Sequence, residues 1–229
     1  RFANLEAVTY FSRALELTPQ EDLAQRYALL LARERVRDLQ GAREAQAQDV
    51  ALLAAVAEQL DDGHLSAEVA LRRANHAERT GVYAAAVAAA QETVDRAHLA
   101  QDGSLEAGGL AQLGLIARRQ GSYEEAADWY RRGLSLLRAA AEDAPDRAVL
   151  LARTLNGLAV VSRQQGDFGA ATAHDQEALA LSQALGDRRG EAEALNSLGS
   201  SAYYQRNLAD ASAFHRRALE IRRSIGDLA

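Results

Sequence analysis

The stretch RRQGSYEEAADWYRRGL, Arg118 to Leu134, decides the fold, because its break at Gln120-Gly121 recurs along the chain in nearly the same setting. Downstream stands RQQGDFGAATAHDQEAL, Arg163 to Leu179. Upstream stand ERTGVYAAAVAAAQETV, Glu78 to Val94, and DLQGAREAQAQDVALL, Asp38 to Leu53. Near the end, YQRNLADASAFHRRAL, Tyr204 to Leu219, puts Arg206 in the glycine's place. The breaks at 41, 81, 121, 166 and 206 are spaced 40, 40, 45 and 40 residues apart. A fixed period of this size is the mark of a stacked repeat protein.

Before each break the apolar and small residues keep one spacing: Leu110, Leu113, Gly114, Ala117; then Leu155, Leu158, Ala159, Ser162; then Leu195, Leu198, Gly199, Ala202. Offsets of three, four and seven place them on one face of a helix. After each break a second face appears: Ala126, Trp129, Tyr130, Gly133, Leu134, with counterparts Ala171, His174, Asp175, Ala178, Leu179 and Ala211, Phe214, His215, Ala218, Leu219. Each unit therefore reads as two helices joined by a tight turn, with glycine ending the first helix where a left-handed residue costs least. Small residues let the two helices approach closely, and one pair cannot bury its own apolar face, so pairs must stack.

The opening EAVTYFSRALELTPQED carries the second-helix pattern alone, and Thr18-Pro19-Gln20-Glu21 reads as a capping box that starts the next helix. The expected fold is all-α: a right-handed superhelix of stacked antiparallel hairpins with about eleven helices. One solenoid is expected over 1–229, with units at 1–18 (second helix only), 19–61, 62–102, 103–143, 144–186 and 187–229. The segment Ala139 to Ala148 carries the five extra residues of the long spacing.

Composition agrees. Hydrophobic residues make up 48% of the 229, prolines number two, and alanine and leucine dominate, which favours helix. The absence of cysteine excludes disulfides, thiolate metal sites and a thiol nucleophile. All 26 basic residues are arginine, and the net charge of −6 argues against general nucleic-acid binding. The uncharged run Thr80 to Gln91 is far shorter than the ~20 residues that span a bilayer. With no secretory signal pattern, a cytoplasmic location is expected. The chain starts at Arg1 without methionine, so a piece of a longer protein is expected.

The small-large-small spacing around a glycine turn resembles the tetratricopeptide repeat; LGLIARRQGSYEEAADWYRRGL, and TPQ after RALEL, are close to its consensus. The period of about 40 resembles the long-helix version found in kinesin light chains and large bacterial regulators. LGDRRGEAEALNSLG and RFANLEAVTYFSRALEL resemble the repeat region of bacterial signal-transduction ATPases, which couple a repeat sensor to a nucleotide switch and an effector. The resemblance weakens at 21–60, where Arg33 and Gln46 stand at positions expected to be small or apolar. It implies a non-enzymatic recognition domain, the sensor or scaffold part of a larger bacterial signalling regulator. The alternatives are a self-assembly module that associates through its terminal helices, and, less in keeping with the residues, an enzyme.

The search for chemistry supports that order. No phosphate loop is possible without lysine. The glycines of EAGGLAQLG lie inside a helical pattern with no preceding strand, so close packing explains them. None of the five histidines pairs with another at i+3 or i+4, so no metal and no cofactor is expected. Trp129 and Tyr130 read mainly as packing between helices.

What the resemblance leaves is the concave groove that the first helices would line. Its candidates are Asn75, Arg79, Arg118, Arg119, Arg153, Asn156, Arg163, Asn196, Ser200 and Tyr203. Asn156 in TLNGLA and Asn196 in ALNSLG are equivalent, and match an asparagine that clamps an extended peptide backbone in kinesin-light-chain-like repeats. An amide both donates and accepts, so it satisfies both polar groups of a peptide bond. Arginine's planar fork suits carboxylate or phosphate. The expected partner is a protein or extended peptide of acidic character, or a small anionic ligand, with no direct nucleic-acid or membrane contact. The competing view pairs these arginines with local acids such as Asp128, Asp167 or Glu193.

Overall fold

A computed structural model describes residues 2–139 and 145–227. Eleven helices lie among them: α1 Phe2–Leu17, α2 Leu23–Gln40, α3 Arg43–Leu60, α4 Gly63–Arg79, α5 Tyr83–Leu99, α6 Gly103–Arg119, α7 Tyr123–Ala139, α8 Pro145–Gln164, α9 Phe168–Leu185, α10 Arg188–Tyr204 and α11 Leu208–Ser224. The fold is all-α, as the periodicity predicts, and consecutive helices pack as hairpins. Most of the extra segment falls at 140–144, outside the described residues.

The turn that sets the period works as its glycine implies. Gly121 has φ +81°; its N–H bonds the Arg118 carbonyl, and the Ser122 N–H reaches back to the Ala117 carbonyl at 2.9 Å. These bonds satisfy two of the carbonyls a helix end leaves orphaned. Arg206 keeps the same geometry without glycine: φ +63°, with Asn207 N–H on the Ala202 carbonyl at 2.9 Å. The hydrogen-bonded frame holds a residue that would otherwise avoid the left-handed region, at a cost of about 1 kcal/mol.

The start of α2 differs from the expected capping box at Thr18-Pro19-Gln20-Glu21. The helix begins at Leu23 and its N-cap is Asp22, whose carboxylate accepts from the Gln25 N–H at 3.1 Å. Thr18 instead donates its hydroxyl back to the Ala14 carbonyl at 2.8 Å, closing the end of α1. Threonine finds a free carbonyl behind it sooner than a free N–H ahead, and Pro19 then keeps the chain from continuing as helix.

The chain forms two compact units, residues 1–109 and 110–229. In the first, α1 to α4 pack in sequence around Leu15, Tyr27, Leu30, Leu53 and Val69. Here Arg33 and Gln46 have a reason. Arg33 forks onto Asp49, with Nη2 at 2.6 Å from Oδ1, and Arg37 reaches the same carboxylate at 2.8 Å. Gln46 donates to Glu34 at 2.7 Å, and Arg72 meets the other Glu34 oxygen at 3.1 Å. Fully partnered polar groups replace the missing small residues, which keeps burial affordable in low dielectric.

In the second unit, the core runs through Ala126, Tyr130, Leu155, Val161 and Ala178, with a further cluster of Ala192, Leu195, Ala218 and Ile221. Tyr130 of α7 wedges between two first helices. A Cβ placed on Gly114 of α6 would stand 2.9 Å from its ring, and one on Gly157 of α8 only 2.6 Å. His215 of α11 holds the equivalent place against Gly199, where a Cβ would stand 2.7 Å from the imidazole. Glycine here is a matter of ring volume: the slots exist because a side chain is missing.

Ala126, Ala171 and Ala211 are all buried, Ala126 and Ala171 fully so. Ala171→Leu is therefore expected to overpack the α8–α9 hairpin by about 1–3 kcal/mol. Chemical denaturation reads this as a lowered midpoint with an unchanged slope; an unmoved midpoint would show that the α9 register is wrong.

Candidate recognition surface

The ten candidate residues do not form one cluster. Asn75 and Arg79 belong to α4 of the first unit; the other eight belong to α6, α8 and α10 of the second.

In the first unit the basic side chains are already engaged. Arg79 meets Asp38 at 2.7 Å, and Arg43 meets the same oxygen at 2.6 Å. Arg72 contacts Glu34 and Glu68, Arg73 contacts Glu92 at 3.0 Å, and Arg35 stands 3.8 Å from Glu68. Asn75 is half-buried between these pairs in sequence.

The second unit is different. Three residues before each turn glycine stand Arg118 and Arg163, and Tyr203 holds the same place before Arg206. Along α8, Arg153, Asn156, Val160 and Arg163 follow one another at three, four and three residues, so they share one face. Glu193, Asn196, Ser200 and Tyr203 repeat that face on α10, which packs directly against α8. Arg153 is exposed and Asn156 half-buried, and neither has a hydrogen bond or ion pair among the described residues. Arg118 is half-buried, and its Nε is enclosed without a hydrogen-bond partner. Arg119 is exposed.

Three candidates are partly engaged on their own helices or with a neighbour. The Asn196 carboxamide oxygen lies 3.2 Å from His215 Nδ1, and Ser200 donates to the Asn196 main-chain carbonyl at 3.1 Å. Tyr203 is exposed and meets Tyr204 edge-on at 5.9 Å; Tyr204 in turn stacks on Phe168 at 5.8 Å. An exposed aromatic group thus continues the arginine row.

Arg163 is not a free surface cation. Its Nη1 donates to Ser197 Oγ at 3.1 Å, to the Ser197 carbonyl at 3.4 Å and to Ser201 Oγ at 3.3 Å. It lies 3.9 Å from the Asp175 carboxylate, and burial lowers its pKa. Asp175 is fully buried at the place that Tyr130 and His215 hold in neighbouring hairpins. Neither of its oxygens has a donor at full hydrogen-bonding geometry. Burial pushes its pKa up to about 7, against the lowering pull of the Ser197 hydroxyl and Arg163. Sequence reasoning placed Asp175 on a packing face and missed its chemistry; an acid at a ring position was the available signal.

The acids named as competitors are committed elsewhere. Asp128 pairs with Arg131 at 2.8 Å, Glu193 lies 3.5 Å from Arg189, and Asp167 caps α9 through the Ala170 N–H. Among the described residues no three His, Asp or Glu side chains are placed to hold a metal ion, and no helix is long and apolar enough to cross a membrane.

Family models described as tetratricopeptide repeat match residues 110–148 and 150–224. No curated protein matches over the sequence. The fold is similar to the crystal structure of BtubC (BKLC) from P. vanneervenii, with a TM-score of 0.72 at 17% identity, covering 99% of this chain and 91% of that one. It is similar to a signal transduction ATPase with numerous domains from Pyrococcus horikoshii that carries a tetratricopeptide repeat sensor. There the TM-score is 0.69 at 16% identity, over 93% of this chain and 33% of the longer one. NprR, solved in complex with its cognate peptide NprX, has a TM-score of 0.68 at 14% identity, covering 97% of this chain and 68% of its own.

Proposed function

Since the chain is a tetratricopeptide-repeat domain of the long-repeat type, we propose that it recognises a protein or extended peptide on the first-helix face of its second unit. The observation that carries this reading is the contrast on α8: Arg153 and Asn156 share a face and have no hydrogen bond or ion pair among the described residues, in a chain whose other arginines are largely paired. An unengaged amide beside a cation, followed by Asn196 and the Tyr203–Tyr204 pair on the adjacent helix, offers backbone hydrogen bonds and an amphipathic stacking surface together. This is how repeat arrays use extended surfaces for recognition.

The likeness to a repeat sensor of a multidomain ATPase and to the peptide-bound NprR supports a place as the sensor or scaffold part of a larger signalling regulator.

The test is a peptide-display selection against the 229-residue chain, followed by mapping of the bound peptide by cross-linking. Contacts are expected on α8 and α10, and Asn156→Ala with Asn196→Ala should weaken the selected peptide at least tenfold, about 1.4 kcal/mol. Contacts confined to α7, α9 and α11 would defeat the reading.

A further inference from the structure

We propose that the segment bound on this face is acidic, and that Arg118 and Arg153 are its anchors; the inference rests on the recognition reading above. The reason is an imbalance between the two units. In the first, the position three residues before the turn is acidic, Asp38 and then Glu78, and Asp38 is bridged by Arg43 and Arg79. The first unit's surface therefore neutralises itself. In the second, the same position reads Arg118 and Arg163.

The part of α6 in the second unit, Leu110 to Arg119, holds no acid at all. In α8 the single acid is Asp146 in the first turn. In α10, Glu191 is buried and takes Arg188 and Arg217, while Glu193 has Arg189. Arg163 leans on Ser197, Ser201 and Asp175. Among the described residues Arg118 and Arg153 form no ion pair, and Arg118 is half-buried with its Nε enclosed and without a hydrogen-bond partner. A desolvated guanidinium N–H without an acceptor is a standing penalty. That Nε is out of reach, so an incoming carboxylate pairs with the rest of the Arg118 guanidinium and, with fork geometry, with the exposed Arg153. The exposed Tyr203 and Tyr204, farther along the same face, then accept the apolar part of the segment.

General electrostatics works against this binding, because the chain as a whole carries −6. Affinity for an acidic peptide must therefore come from a local site, which makes the experiment decisive. The probes are fluorescein-labelled hexaglutamate, hexalysine and a Gly-Ser hexapeptide, titrated with the full chain by fluorescence anisotropy at low and moderate salt. Hexaglutamate is expected to bind, to weaken with salt, and to lose at least tenfold in affinity to Arg118→Gln with Arg153→Gln. Arg131→Gln, whose partner Asp128 lies on its own helix α7, is the control and should change nothing. Circular dichroism melting establishes that each variant is folded, and Arg153→Gln alone, at an exposed position, gives a second reading of the anchor.

Absence of hexaglutamate binding, or binding that survives the double variant, overturns the inference. A neutral peptide selected onto α8 and α10 that hexaglutamate fails to displace would overturn the acidic anchor while leaving peptide recognition standing.

Discussion

Tyr130→Ala is expected to destabilise the second unit by about 3–5 kcal/mol, the usual cost of removing a buried aromatic side chain and leaving its cavity. Tyr130 is 3% exposed, and its ring fills the space that two glycines leave open, on α6 and α8. The more telling result is a change of sign at Gly157. In the native background, Gly157→Ala would place a Cβ 2.6 Å from the ring, so the variant must lose stability as helix or ring shifts. Once Tyr130 is alanine, that obstacle is gone. Gly157→Ala should then stabilise by up to about 1 kcal/mol, the ordinary helix-propensity gain. A double-mutant cycle by urea denaturation reads the coupling directly. Additive effects of the two changes would mean that the ring does not occupy this slot.

The second large effect is a pH dependence. Asp175 ionises at about 7 in the folded protein, because burial penalises its carboxylate, against an ordinary value of 3.8. The folded state therefore holds this proton more tightly than the unfolded chain does. Stability associated with the neutral acid is complete below pH 4 and is lost as pH rises through 7. The gap of about three pH units, at about 1.4 kcal/mol per unit, sets a ceiling on the order of 4 kcal/mol. Asp175→Asn keeps the shape of the neutral acid and removes the titration. Denaturation at pH 5 and pH 8 should show that the substitution stabilises more at pH 8 than at pH 5. Because the surface acids are common to both proteins, the difference between them isolates Asp175. An equal effect at both pH values would mean that the buried carboxyl does not ionise between them.

The architecture was legible because its determinants are local. A left-handed turn residue, small residues at the approach and a three-four-seven pattern sit within about 15 residues of one another, and repetition exposes each as a rule rather than an accident. The start of α2 was misread for an equally local reason: Thr18 can bond backward to Ala14 as well as forward, and Asp22 is the better cap. The polar interior was not legible. Arg33 meets Asp49 across 16 residues, and Arg163 meets Ser197 across 34, and no pattern along the chain announces such pairs. For the same reason the arginine row looked uniform in sequence. The fold divides it into Arg79, neutralised by Asp38, Arg163, drawn into a serine-lined interior, and Arg118 and Arg153, without an ion pair among the described residues.

The succession of Tyr130, Asp175 and His215 at one structural position has a consequence for how the second unit comes apart. Tyr130 fastens α6 to α8, and the buried Asp175 stands beside Arg163 of α8, so the layers are fastened by different material. The carboxylic one weakens as it ionises near neutrality. In an array where each hairpin is held mainly by its neighbours, such a weak layer becomes a seam. As pH rises through 7, the last hairpin is expected to acquire an opening equilibrium of its own.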